Sequence, residues 1–265
     1  MPGRLVTDFT GKAALITGAG RGIGRAVALG LAAAGARLIL VARSASQLAQ
    51  TQEILLGQGA TAGQVLIVPA DLSDEQERGR AAGVALAAGR VDILINNAGT
   101  VEPLGPTAAV PVAALRHAFE LNVIAPAALT AAVLPGMLEA GWGRVVNVSS
   151  GIAARPDSMV RFNAYAATKA ALEAHTVNLA AELRGTGVTV NAFRPGGVDT
   201  AMQAWIRQQD PGRIGTAVSE RFRQNFAAGA LITPEQSAAA LIARLGGDDT
   251  GAIWDVSSEI ASGRR

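Results

Sequence analysis

Seven short runs of almost uninterrupted apolar residues constrain this chain more than any other feature. They are "AALIT" (13–17), "RLILVA" (37–42), "QVLIVPA" (64–70), "VDILIN" (91–96), "GRVVNVS" (143–149), "GVTVNAF" (187–193) and "GAIWDV" (251–256). A strand with one wet face alternates apolar and polar side chains. A run that is apolar throughout needs cover on both faces, as strands of a parallel sheet between helices have. Between the runs lie Ala- and Leu-rich segments, such as 23–35, 45–57, 107–139, 163–184 and 233–245, long enough to be crossover helices. The pattern predicts an α/β fold: a doubly wound parallel sheet, Rossmann-like, of about seven strands flanked by helices. No linker-like stretch divides the 265 residues and no internal repeat is evident, so one domain is expected.

Composition narrows the function classes. Hydrophobic residues make up 49% and charged residues 17%, which provides a sizeable core. The arginines are scattered, the formal net charge is +2, and three tryptophans with one tyrosine offer few stacking platforms, so nucleic acid is not an expected partner. Without cysteine there is no disulfide, thiolate nucleophile or zinc–thiolate site, and two separated histidines give no metal spacing. The start, "MPGRLVTDFTGKAALITG", lacks the apolar stretch of a leader, and the apolar run near 123–138 is broken by Pro126, Thr130 and Pro135. A soluble, cytoplasmic protein with no membrane partner is expected.

The first apolar run leads into "TGAGRGIG" (17–24), with Gly18, Gly20, Gly22 and Gly24 where a helix should begin. Glycines there let the backbone turn tightly and approach a pyrophosphate, whose charge faces the free N–H groups of the helix N-terminus. The G-x-G-x-x-G spacing fails at Ile23, whereas G-x-x-x-G-x-G fits Gly18, Gly22 and Gly24, and no Walker lysine follows. Tight strand-to-helix turns also use glycine for steric reasons alone.

"NAYAATKAA" (163–171) holds the chain's one tyrosine and one of its two lysines, four residues apart. Positions i and i+4 share a helix face, so Tyr165 and Lys169 project into the same space. A free phenol titrates near about 10, and a neighbouring ammonium is expected to pull it down by roughly 1 to 3, toward the range of acid–base catalysis. The bland alternative is a surface pair on an amphipathic helix.

Five stretches in one order, "TGAGRGIG", "NNAG" (96–99), "NVSS" (147–150), "YAATK" (165–169) and "RPGGVDT" (194–200), resemble the short-chain dehydrogenase/reductase family of nicotinamide-dependent oxidoreductases, over roughly residues 10 to 256. The resemblance implies a catalytic set of Asn122, Ser150, Tyr165 and Lys169. Ser150 would bond the substrate oxygen, Tyr165 would exchange the proton, Lys169 would also bond the nicotinamide ribose, and Asn122, in "ELNV", would hold a water linking the lysine to solvent. Ser149 is the alternative to Ser150, since adjacent strand residues face opposite ways. Asn122 could instead cap a kink.

The cofactor site so implied comprises Gly18, Gly20, Arg21, Gly22, Ile23 and Gly24, then Asp71 and Leu72, then Asn97, Ala98 and Gly99, and lastly Pro195, Gly196, Val198 and Thr200 beside Tyr165 and Lys169. Asp71 would meet the adenine or cap the next helix. After the second strand the sequence reads "LVARS", with Ala42 where an acidic residue would grip the ribose hydroxyls and Arg43 next. Arg43 and Arg21 could meet a 2′-phosphate, or be surface charges. NADP(H) is the expected cofactor.

Residues 200–230 are expected to form a lid, with Met202, Trp205 and Ile206 lining an apolar pocket or packing a helical hairpin. Arg207, Arg213, Arg221 and Arg223 raise the case of an anionic or carrier-linked substrate. The stretch from Ser150 to Tyr165 is slightly longer than is common in the family, and the tail "WDVSSEIASGRR" lacks the glycine-rich end many members have. The family implies a homodimer or homotetramer built on the helices around 107–139 and 163–184. The functional expectation is an NADP(H)-dependent oxidoreductase acting on a carbonyl or secondary alcohol, resembling the 3-oxoacyl reductases of the family. The competing class is a non-catalytic cofactor sensor or scaffold.

Overall fold

The computed structural model describes residues 8–256. Most of the leader reading (1–7) and of the atypical tail (257–265) lies outside the described residues. Seven parallel strands, β1 (Ala13–Thr17), β2 (Arg37–Ala42), β3 (Val65–Pro69), β4 (Ile93–Asn96), β5 (Gly143–Val148), β6 (Val188–Arg194) and β7 (Ile253–Asp255), lie in the order β3-β2-β1-β4-β5-β6-β7. Register pairs Leu15 with Ile39 on one side and with Leu94 on the other.

The apolar runs are covered on both faces, and the period of two divides them. Ala14, Ile16, Leu38, Leu40, Ile93 and Ile95 pack under helices α1 (Gly22–Ala33), α2 (Ala45–Gly57) and α10 (Pro234–Leu245). Leu15, Ile39, Val41, Leu94 and Val145 pack under α3 (Glu75–Ala87), α5 (Ala125–Glu139) and α6 (Asn163–Glu182). Leu15, Leu38, Ile39 and Leu94 are wholly buried, each contributing about 1.5 to 3 kcal/mol relative to an exposed side chain. A third cluster, built on Ile152, Phe162, Ile214 and Phe222, joins α7 (Ala201–Arg207), α8 (Pro211–Ile214) and α9 (Thr216–Ala227) to the loop after β5.

Two departures from the sequence pattern bear on the site. Helix α3 was not anticipated, because "EQERGRAAGVALA" is polar at its start. It is nucleated by Asp74, whose carboxylate accepts from the Glu77 N–H at 2.9 Å. Asp71 is therefore not the helix cap. Its Oδ1 accepts from the Ser73 N–H at 3.0 Å and hydroxyl at 2.6 Å, making a turn instead.

The segment 107–139 is not one helix. A 3-10 turn at Thr107–Ala109 precedes α4 (Val112–Phe119), and a π-helical turn at Glu120–Ile124 separates α4 from α5. Pro126 accounts for the π turn, because it has no N–H to give the carbonyl four residues back, which is that of Asn122. The ladder slips accordingly, and the Ala125 N–H bonds the Glu120 carbonyl five residues back. The stretch Val112–Glu139 is long and apolar enough to cross a membrane by length and composition. In the fold its Leu121, Ala125, Leu129, Val133 and Met137 cover one face of the sheet.

Candidate active site

The strand order reverses between β1 and β4, so connections leave in opposite directions and a crevice opens at their carboxyl ends. A cleft of about 900 Å³ lies there. The glycine turn forms one wall. Gly18 has φ +67°, and a side chain at it would come within 2.7 Å of the Asn97 amide nitrogen; a Cβ at Gly24 would overlap the Gly18 carbonyl. Gly24 thus packs the helix against the turn and does not line the cleft, whereas Gly18, Gly20, Arg21, Gly22 and Ile23 do.

The loop is braced from behind by residues the motif does not contain. The Thr51 hydroxyl reaches the Ala19 carbonyl at 3.1 Å, and the Arg25 guanidinium donates to the Gly20 carbonyl. Helix α1 opens with Arg21 at its N-cap, no capping side chain and no acidic residue in the first turn. Its leading N–H groups carry the positive end of the helix dipole without a protein acceptor from a side chain, the arrangement that receives a phosphate.

Thr17 joins this turn to "NNAG". Its hydroxyl oxygen accepts from the N–H groups of Asn97 at 2.9 Å and Ala98 at 3.0 Å, while the Asn97 side chain donates to the Thr17 carbonyl at 2.9 Å. Asn97, Ala98 and Gly99 line the cleft. At the end of β2, Ala42, Arg43, Ser44 and Gln47 line it without a carboxylate. Arg43 stands 3.9 Å from Asp71, an exposed pair worth little, so its guanidinium stays available to an anion. Leu72 lines the cleft and Asp71 does not. Pro195, Gly196, Val198 and Thr200 form the opposite wall. Val198 is pinned by a bridge to Ile232, and Thr200 caps α7. These residues fit a nicotinamide dinucleotide.

At the cleft floor, Tyr165 and Ser150 both line the cleft, and the Ser150 side chain is close enough to ease ionisation of the phenol. The geometry separates the two serines: Ser149 is 1% exposed and gives its hydroxyl to Glu173 at 2.7 Å, leaving Ser150 to the phenol. Lys169, 4% exposed, donates to the Val148 carbonyl at 2.7 Å, and its Nζ lies 5.8 Å from the Tyr165 ring centre.

The expected depression of the phenol by the lysine is not what this arrangement gives. Burial raises the Tyr165 phenol above its ordinary value, and the Ser150 side chain only partly opposes this. Burial also weakens the Lys169 ammonium, bringing it down to about 8 against the upward pull of the Glu173 carboxylate.

Asn122 is fully buried in the π turn and does not line the cleft. Its Oδ1 accepts from the Thr100 N–H at 2.8 Å, and its amide donates to the Thr100 carbonyl at 2.8 Å and the Thr168 hydroxyl at 3.0 Å. Both amide protons are spent on protein, so the side chain acts as a bracket tying the loop after "NNAG" to the helix of Tyr165 and Lys169.

Sequence reading missed Glu173. It is 7% exposed, one turn beyond Lys169, and its carboxylate takes the Ser149 hydroxyl and both arms of Arg194, at 2.8 and 2.7 Å. A carboxylate at i+4 from the lysine on a helix otherwise lined with Ala and Leu was the available signal. Among the described residues no cluster of His, Asp and Glu could hold a metal ion.

A family model described as short chain dehydrogenase matches residues 12–211. The chain is 38% identical over 206 residues to a short chain dehydrogenase of Pseudocercospora fijiensis, covering 77% of this chain and 65% of that one. It is 34% identical over 268 residues to a putative ketoacyl reductase of the monensin polyketide synthase of Streptomyces virginiae, covering 97% and 98%. A solved structure, a putative NAD(P) dependent gluconate 5-dehydrogenase from Beutenbergia cavernae with bound NADP, superposes with a TM-score of 0.82 at 31% identity, over 94% of this chain and 96% of that one. Fold, cleft and kinship agree: the chain belongs to the short-chain dehydrogenase/reductase family of oxidoreductases.

Proposed function

We propose that this protein is an NADP(H)-dependent oxidoreductase interconverting a ketone and a secondary alcohol, with Tyr165 as general acid and base. The observation that carries the reading is the convergence of Ser150, Tyr165 and the buried Lys169 on one cleft, the lysine one helical turn from the tyrosine. The nicotinamide cofactor, when bound, supplies or accepts the hydride at the carbon. Ser150 donates to the substrate oxygen, and Tyr165 passes its proton to that oxygen as the C=O π bond opens. A phenol raised by burial keeps its proton at neutral pH, which supports carbonyl reduction as the direction that needs no prior ionisation. Lys169 holds positive charge beside the forming phenolate and meets the nicotinamide ribose. Asn122 positions both through Thr168 and Thr100, in place of a side-chain water relay.

Arg21 and Arg43 take the 2′-phosphate of NADP(H), a reading supported by the missing carboxylate at Ala42. Helices α7 to α9 act as the lid. The protein works as a cytoplasmic homodimer or homotetramer, supported by exposed Val112, Ile124, Leu138 and Val177 on the long helices. The Tyr165→Phe variant tests the core of the proposal. NADPH-dependent reduction of a ketone panel falls by roughly 10² to 10⁴ while nicotinamide fluorescence still reports binding. Unchanged turnover overturns the mechanism.

A further inference from the structure

Beyond Ser150 and Tyr165 the cleft continues into a chamber lined by Val101, Ile152, Met159, Phe162, Met202 and Phe222. Two walls form it: the segment after β5, and helix α9. The rings of Phe162 and Phe222 stack across the join, with centres 6.1 Å apart and planes within 4°. Each wall sets one exposed arginine at the cleft surface, Arg155 on the first and Arg221 on the second.

The other arginines of the lid region are accounted for differently. Arg207 pairs with Asp199 at 3.7 Å and lies over the Phe226 ring. Arg213 donates to the Leu104 carbonyl and to Gln209. Arg223 does not line the cleft. The side chains of Arg155 and Arg221 have no hydrogen-bond or ion-pair partner among the described residues. The one carboxylate in the lining is Asp255 at the end of β7, which acts on Arg194. Two arginines in the lining of a cleft with an apolar chamber, without a side-chain counter-charge of their own, make the potential there positive. Guanidinium forks match carboxylate and phosphate oxygens in pairs.

We propose that the substrate is an anionic ketone or secondary alcohol: its reacting carbon at Ser150 and Tyr165, an apolar segment in the chamber, and a carboxylate or phosphate held between Arg155 and Arg221. This rests on the oxidoreductase reading above and adds the substrate class to it.

The test uses matched substrate pairs with the full chain and NADPH: medium-chain keto acids against their methyl esters, and keto phosphate monoesters against the corresponding neutral alcohols. The anionic member of at least one pair is turned over with a kcat/KM at least tenfold higher, and which pair shows it identifies the anion. That preference shrinks as salt is raised, and the ratio falls toward one in the R155Q/R221Q double variant, mainly through KM. Because the readout is a ratio within one enzyme sample, partial misfolding of a variant does not mimic it. Equal turnover of both members, or a ratio that survives the double substitution, overturns the inference and leaves the oxidoreductase standing. NADPH oxidation with no ketone at all would instead remove the oxidoreductase reading.

Discussion

Replacing Glu173 by glutamine removes one charge and little volume from the network behind the active site. In the native chain one carboxylate oxygen accepts from Ser149 and Arg194, and the other accepts the second arm of Arg194. Glutamine offers one acceptor oxygen and turns an amide donor toward a guanidinium that can only donate. The two side chains of the pair are 10% and 18% exposed, so Arg194 is left largely desolvated with only the charge of Asp255 to compensate it, a loss of about 3 kcal/mol at the lower end for a buried pair. For a chain of this size that lowers Tm by roughly 6 to 12 °C.

The second effect is electrical. Glu173, one turn further along the same helix, is the carboxylate that raises the Lys169 ammonium, and Glu173 in turn pairs with Arg194 on β6, on which Asp255 of β7 also acts. Without Glu173 the ammonium falls below about 8. A protonated lysine exists below its pKa and is lost as pH rises through it, so the alkaline limb of kcat/KM for ketone reduction moves from near 8 to lower pH. The assay is a pH profile of NADPH oxidation between about pH 5.5 and 9.5, with a thermal melt on the same protein. Glu173→Asp, which keeps the charge, brings the limb part of the way back. If Tm falls as expected while the limb stays in place, Glu173 serves folding alone and Lys169's charge does not govern the rate.

Ala42→Asp places a carboxylate where the 2′-phosphate is expected, and the NADPH-to-NADH affinity ratio drops at least tenfold by fluorescence titration; an unaltered ratio refutes the Arg21 and Arg43 reading. Ser150→Ala lowers kcat by about 10² to 10³ with Tm little changed. Ser149→Ala instead costs about 1.5 to 3 kcal/mol of stability through its bond to a charged group, and the reverse pattern sinks the assignment of the two serines. Gly24→Ala drives a methyl into the Gly18 carbonyl, a backbone atom that cannot swing aside, and costs about 1 to 3 kcal/mol in a thermal melt together with weaker NADPH binding.

What was legible in the sequence is what local rules write locally. The seven strands begin and end within two residues of the apolar runs, because burial on both faces of the central strands favours apolar residues at successive positions, while the edge strands β3 and β7 are only partly covered. The glycine turn, and the shared face of Tyr165 and Lys169, follow from spacing alone.

The misses have a common cause in partners distant in sequence. Helix α3 depends on a cap rather than an apolar stripe. The role of Asn122 depends on Thr100, 22 residues upstream, and Thr168, 46 residues downstream, and on a proline that shifts its turn out of α register. The titration of Tyr165 and Lys169 departs from the expectation because i, i+4 spacing reports proximity and not solvent. In the folded chain desolvation outweighs proximity for Tyr165 and weakens the ammonium meant to tune it. It follows that positive charge at the phenol is not intrinsic to the pair. Glu173 sustains it from behind, and Glu173 is itself held by Arg194, the residue that opens "RPGGVDT". The wall that would receive the nicotinamide and the charge state of the lysine are therefore tied through one carboxylate, so a perturbation of either should be read at the other.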